Sequence, residues 1–180
     1  MLVIGILVRR GKLINAISLK ITWLACVLGG SIMGLIAISA MILHSGVQRR
    51  LSIDLPYVGL LSVIGFVLDT AWISAGVLDY GQSALWLSSS FMVAPPWIVL
   101  LWVAVGLSLN QSLSFLVDRP LFGSLLVGLG APFSYLTGES FGAVVIPDPS
   151  ALALLSLSWI IVFYGIFYLA RVRAIRPLNI

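Results

Sequence analysis

The stretch Ile21–Leu43 reads ITWLACVLGGSIMGLIAISAMIL and carries no charged side chain. It can form either one long helix or two short helices joined by a turn at Gly29-Gly30-Ser31. With the turn, every basic residue of the chain falls on one side of a membrane; without it, the basic residues are divided between both sides. The positive-inside rule therefore favours the turn, although each short helix then has only about 17 residues, near the lower limit for a span.

The composition of the whole chain supports a membrane environment. Of its 180 residues, 61% are hydrophobic and only 9% are charged, whereas a soluble domain has about 25% charged residues. Lipid is therefore the expected solvent and lipid molecules the expected partners. The net charge of +4 does not indicate nucleic-acid binding, because the basic residues lie at the ends of apolar segments.

We predict an all-α integral membrane protein, a compact bundle of six transmembrane helices. The predicted segments are Leu13–Gly29, Ser31–Val47, Leu55–Leu78, Pro95–Val117, Leu121–Ile146 and Ser150–Ala170. Residues 1–12 are a short lead-in, 13–171 a single domain and 172–180 a cytoplasmic tail, so both termini are cytoplasmic. The apolar segment Tyr80–Ala94 is expected to lie in the outer membrane interface as a lid or a short re-entrant piece.

Two isolated carboxylates, Asp69 and Glu139, lie within these apolar segments. An ionisable group at membrane depth usually faces a protein interior or a water-filled cavity. Helical spacing places Asp69 on one face with Trp72, and Glu139 on one face with Tyr135. Both acids fall in the outer half of the membrane.

The functional interpretation is a polar pocket between the third and fifth segments, in which Asp69 and Glu139 bind a cation or a polar headgroup or exchange protons. Trp72 and Trp102 would form its walls or simply fill the core. The alternative is that each acid is protonated or hydrogen-bonded and only stabilises packing.

The fourth segment contains the polar stretch Ser108–Ser114, which includes Asn110. It lines the inner half of a pathway or, as the more frequent case, hydrogen-bonds neighbouring helices together. With His44 as the only histidine and Cys26 as the only cysteine, the sequence predicts no metal site and no bound cofactor. No hydrolase, phosphate-binding or dinucleotide-binding motif is present, so no catalytic residue is assigned.

Several motifs together resemble a family of small bacterial inner-membrane proteins catalogued only as a domain of unknown function. These are Trp23–Gly29, Asp69, Pro96-Trp97, Leu101-Trp102, Leu109–Leu113 and Gly130–Ala143. The resemblance implies a bacterial inner-membrane location and, since relatives are encoded near enzymes that modify membrane fatty acids, a lipid-related role. Relatives often have histidine at Gln111 and a small or basic residue at Glu139, which shifts the expected site toward Asp69, Asn110 and Tyr135.

Three functions are compatible with these features. The first is a small carrier or binding protein for an ion, small solute or lipid, with the predicted pocket as its site. The second is an accessory or structural subunit of a larger membrane complex, with other membrane proteins as partners. The third is a membrane-embedded enzyme acting on lipid, with Asp69 or Glu139 as general acid or base.

Overall fold

The structure, a computed structural model, describes the backbone of residues 2–89 and 91–175 and the side chains of residues 9–89 and 91–173. Met1 of the predicted lead-in and residues 176–180 of the predicted tail lie outside the described residues. The α-helices are α1 (Leu2–Val47), α2 (Leu51–Ser74), α3 (Pro96–Ser108), α4 (Ser114–Val117), α5 (Pro120–Ser140) and α6 (Ala151–Ile175). A 3-10 turn (Gly81–Ser83) and two short strands, β1 (Leu85–Ser88) and β2 (Phe91–Val93), lie between α2 and α3.

The first helix is a hairpin of two arms, residues 2–29 and 31–47. The helix breaks at Gly30, whose φ of 61° and ψ of −151° are not helical and suit a residue without a Cβ atom. The hydroxyl of Thr22 lies 3.2 Å from the sulfur of Met41, and Nε2 of His44 lies 3.3 Å from the carbonyl oxygen of Gly11. These contacts make the arms antiparallel, so the turn predicted at Gly29-Gly30-Ser31 is confirmed. The first arm already begins at Leu2, within the predicted lead-in.

The helices run alternately up and down and pack in two groups, α1 and α2 against α3, and α5 against α6. The buried residues of α2 recur every three or four positions and therefore form one face. They are Asp54, Tyr57, Leu61, Gly65 and Asp69. Gly106 on α3 allows a close approach to this helix, because a Cβ atom there would lie 2.7 Å from the Cα atom of Val58.

The prediction that the fourth segment, Pro95–Val117, forms one continuous helix is wrong. α3 ends at Ser108, and a series of turns separates it from the single-turn helix α4. Within those turns, the amides of Gln111 and Leu113 both donate to the carbonyl oxygen of Ser108, at 3.0 and 2.9 Å. Serine and asparagine compete with helical hydrogen bonding, so the polar stretch favours turns over a helix interior.

The predicted fifth segment is too long at its carboxyl end, since α5 stops at Ser140 rather than at Ile146. Gly142 follows with a φ of 74°, a conformation that glycine adopts easily. The chain then pairs with the loop after α2, where Asp79 and Val145 exchange two backbone hydrogen bonds of 3.0 and 2.7 Å. The loops after α2 and α5 are therefore joined at the same end of the molecule.

The segment expected as an interfacial lid folds as an antiparallel hairpin of β1 and β2. Helix nevertheless makes up 77% of the structure, so the helical class is confirmed with this small β addition. Among the described residues, four helices are long and apolar enough to cross a membrane, namely Arg9–Val47 (counted as one helix), Leu51–Ser74, Pro120–Ser140 and Ala151–Arg173. Their outer faces expose large apolar side chains such as Ile32 and Phe133.

Candidate functional site

A cavity of about 370 Å³ lies between the first arm of α1, α3, α5 and α6, and Tyr80 of the loop after α2 also lines it. Its walls are mainly aliphatic and aromatic. The aromatic lining residues are Trp23, Tyr80, Trp97, Trp102, Tyr135 and Trp159. Pockets of roughly 300–1,000 Å³ with apolar walls and a few polar groups are typical small-molecule sites.

Stacked rings make one wall of this cavity rigid. The indoles of Trp102 and Trp159 stack at 4.8 Å with an interplanar angle of 12°, and Trp159 stacks in turn on Phe163 at 5.2 Å. Tyr80 and Trp97, which also line the cavity, meet edge to face at 5.5 Å. Such ring pairs favour a single arrangement of the wall.

Asp69 lies behind Tyr80 and Trp102 and does not line the cavity itself. Its side chain is 1% exposed. The hydroxyl of Tyr80 donates to one carboxylate oxygen at 2.8 Å, and Nε1 of Trp102 donates to the other at 2.9 Å. The acid therefore holds two cavity residues, one from the loop and one from α3, in position.

Gly65 makes the bond between Trp102 and Asp69 possible. It lies one helical turn before Asp69, and a Cβ atom there would overlap the indole of Trp102. Tyr80 remains a hydrogen-bond donor, because burial, and next the charge of Asp69, raise the pKa of Tyr80 well above its ordinary value.

The six residues predicted for the pocket are only partly brought together. Trp102 and Tyr135 line the cavity, and Asp69 binds Trp102 from behind. Trp72 is partly buried and packs against the hydrophobic cluster that contains Tyr80 and Trp97, outside the cavity lining. Whether any of these residues binds a ligand stays a prediction.

Glu139 and Asn110 belong to other networks. The carboxylate of Glu139 accepts a 2.8 Å hydrogen bond from the amide of Ile146, which holds the loop after α5. This hydrogen bond is separate from those of Asp69. Asn110 lies near the start of α2, where its side-chain amide donates to Asp54 at 3.1 Å.

The Asp54 network is the main feature that sequence reasoning missed. Asp54 is fully buried, and besides Asn110 it accepts hydrogen bonds from Ser45 at 2.7 Å and from Gln111 at 3.0 Å. Its position two residues before Pro56 is typical of a residue at the start of a helix, so its place in the sequence does not by itself indicate a buried network. The adjacent amides Asn110 and Gln111 in an apolar chain were the available signal for a buried acid that needs neutral donors.

Lys20 was also missed as a site residue. It lines the cavity and is the one charged side chain among the described residues that do so. Within the described residues, no group of three or more His, Cys, Asp or Glu side chains is placed to hold a metal ion.

The fold defines a predominantly helical protein, in whose described part four helices are apolar enough to cross a membrane and an aromatic cavity lies between the helices. The chain belongs to the family described as "Protein of unknown function (DUF2878)", whose model matches residues 12–164. The resemblance to a domain-of-unknown-function family is thereby confirmed. No curated protein and no solved structure matches the chain.

Proposed function

We propose that the chain is a bacterial inner-membrane protein whose two α1 arms, α2, α3, α5 and α6 cross the bilayer with both termini in the cytoplasm. The distribution of charge supports this orientation. At one end, Lys12 contacts Ser114 at 2.7 Å and Arg50 contacts the carbonyl of Asn110 at 3.0 Å. The opposite end carries Asp79 and Asp148 and no lysine or arginine in its loops, as the positive-inside rule requires of an outer face.

The short helix α3 is compatible with this arrangement. Its 13 residues reach about 20 Å, less than the hydrocarbon thickness of a bilayer. The turns that follow it include Leu109 and Gln111, both buried. Non-helical backbone at membrane depth is tolerated where protein surrounds it.

Within this membrane protein, we infer a binding or carrier function for a lipid or another small amphiphile. The observation that carries the inference is the aromatic cavity of about 370 Å³. Its apolar walls suit a hydrocarbon chain better than a bare ion. Asp69, which is bonded to two lining residues, accepts hydrogen bonds from Tyr80 and Trp102, so it serves to position the wall.

Native mass spectrometry of protein extracted gently from its own membrane tests this function. We expect a small-molecule adduct that survives activation strong enough to remove bulk lipid. Ser134 lies on α5 and lines the cavity, so Ser134→Trp should fill the space and abolish the adduct. The neighbouring Phe133 is 72% exposed and lies outside the lining, so Phe133→Trp is the matched control and should retain it.

Two results would contradict the binding function. An adduct that persists equally in Ser134→Trp and Phe133→Trp would place the bound molecule outside the cavity. A stable mass increment from another polypeptide, without a small molecule, would favour the accessory-subunit function instead.

A further inference from the structure

Lys20 lies far from either end of the helix that carries it. It is ten residues before Gly30, about 15 Å along the helix axis, and eight residues after Lys12, about 12 Å. In a membrane-crossing arm this is intermediate depth, where an ionisable group normally faces a protein interior or a cavity and has a functional reason to be there.

The ammonium group of Lys20 has no hydrogen bond or ion pair with any described residue, whereas Lys12 on the same arm donates to Ser114 at 2.7 Å. Among the described residues that line the cavity, none carries a carboxylate that could neutralise this charge. Asp69 is fully buried behind Trp102 and bound to it. The positive charge of Lys20 is thus uncompensated by the protein around the cavity.

The mouth of the cavity lies beside Lys20. The exposed lining residues are Lys20 on the first arm of α1 and Leu126, Gly130 and Ser134 on α5. These two helices pack against α3 and α6 respectively, which leaves a lateral gap between them. With the helices crossing the bilayer as proposed, this gap opens toward lipid and not toward water.

We propose that the cavity takes an amphiphile with one hydrocarbon chain and an anionic headgroup, a carboxylate or a phosphate, and that Lys20 binds the headgroup at the lateral mouth. The chain occupies the aromatic interior, whose volume of about 370 Å³ suits one chain better than two. Charge complementarity at the mouth selects the headgroup, and a charge-assisted hydrogen bond is stronger than a neutral one. This inference rests on the proposed binding function and adds the class of ligand to it.

Quenching of tryptophan fluorescence by brominated lipids tests the headgroup preference. The protein is placed in nanodiscs of neutral phosphatidylcholine and carries Trp86→Phe, because Trp86 is 62% exposed and outside the cavity. The probes are 9,10-dibromostearyl phosphate, dibromostearate and the neutral dibromostearyl alcohol. We expect half-maximal quenching at about tenfold lower concentration for the anions than for the alcohol.

Variants of Lys20 separate its charge from its shape. Lys20→Gln should abolish the preference for anions, and Lys20→Arg should retain it. Arg9→Gln removes an exposed base of the same arm outside the cavity and should leave the preference unchanged. Because Lys20 has no partner in the described residues, Lys20→Gln should fold normally, which its thermal midpoint would verify.

The outcomes distinguish this inference from the proposed function. Equal quenching by the anions and the alcohol, unchanged in Lys20→Gln, would overturn the role of Lys20 and leave the cavity as a site for neutral amphiphiles. Failure of all three probes to quench would contradict the binding function itself. A preference for the phosphate alone or for both anions supports the inference and identifies the headgroup.

Discussion

At the scale of single residues, the cavity wall depends on the absence of a side chain at Gly65. The indole of Trp102 occupies the space where a Cβ atom of residue 65 would lie, and from there it reaches Asp69 at 2.9 Å. The indole also stacks on Trp159 at 4.8 Å, so it cannot move aside without disturbing a second ring. One glycine therefore controls the positions of an acid and two aromatic side chains.

Gly65→Ala is accordingly expected to destabilise the protein by about 1–3 kcal/mol, the usual cost of overpacking a well-packed interior. Gly59 is the matched control, because it lies on the same helix and a Cβ atom there meets no heavy atom within 4 Å. Gly59→Ala should stabilise α2 slightly, by about 0.5–1 kcal/mol. Thermal unfolding in one detergent, followed by tryptophan fluorescence, compares the two variants.

A thermal midpoint for Gly65→Ala equal to or above that of Gly59→Ala would contradict the assigned packing of Trp102. An unchanged tryptophan emission maximum in Gly65→Ala would argue the same way, since the hydrogen bond to Asp69 would then be intact.

At the scale of elements, a buried acid joins three segments, one of which is distant in sequence from the other two. Asp54 on α2 accepts hydrogen bonds from Ser45 on the second arm of α1, and from Asn110 and Gln111 in the turns after α3. The non-helical backbone between α3 and α4 thus has a structural role, because it presents the side-chain amides of Asn110 and Gln111 to the carboxylate of Asp54. The polar residues that follow the end of α3 therefore also bind this segment to α2.

Asp54→Ala should destabilise this junction by about 1–3 kcal/mol, since it leaves buried donors without their acceptor. Asp118 lies near the same turns but is exposed, and Asp118→Ala should change stability by no more than about 0.5 kcal/mol. The free energy of unfolding in mild detergent provides the comparison. If both variants unfolded at the wild-type denaturant concentration, the network would not contribute to stability.

At the scale of the whole molecule, the two ends differ in chemistry. One end gathers most of the basic residues, including Arg173, whose guanidinium lies 5.9 Å from the ring centroid of Tyr57. The other end joins its loops through Asp79 and Val145 and carries the β1–β2 hairpin. This asymmetry leads to a prediction about which end faces the cytoplasm.

Single-cysteine labelling measures the orientation. In a Cys26→Ser background, Gln82→Cys places a thiol in the exposed loop after α2, and Gln48→Cys places one between α1 and α2. A membrane-impermeant maleimide should label position 82 in intact spheroplasts because that end faces outward, and position 48 only after permeabilisation. The reverse pattern would overturn the proposed orientation, and labelling of both sites in intact spheroplasts would contradict the alternating crossings.

Much of the helical architecture followed from the sequence alone. Hydropathy, glycine and charge are properties of short stretches, so the bounds of α2 and α6 and the hairpin turn at Gly30 were predictable within a few residues. The breaks after Ser108 and Ser140 were not, because a polar or glycine-containing stretch can continue a helix or end it, depending on the partners that its side chains find.

The sequence by itself determined that the chain is predominantly helical and apolar, and that a few polar residues lie within its apolar stretches. Only the tertiary structure decided which of those residues meet. It set Asp69 behind Trp102, assigned Glu139 to a loop, gathered Asn110 and Gln111 around Asp54, and placed Lys20 at a cavity mouth. The reason is physical: local sequence sets which segments form helices, whereas the contacts of a side chain depend on how neighbouring helices pack and rotate, and those contacts join residues far apart in the chain.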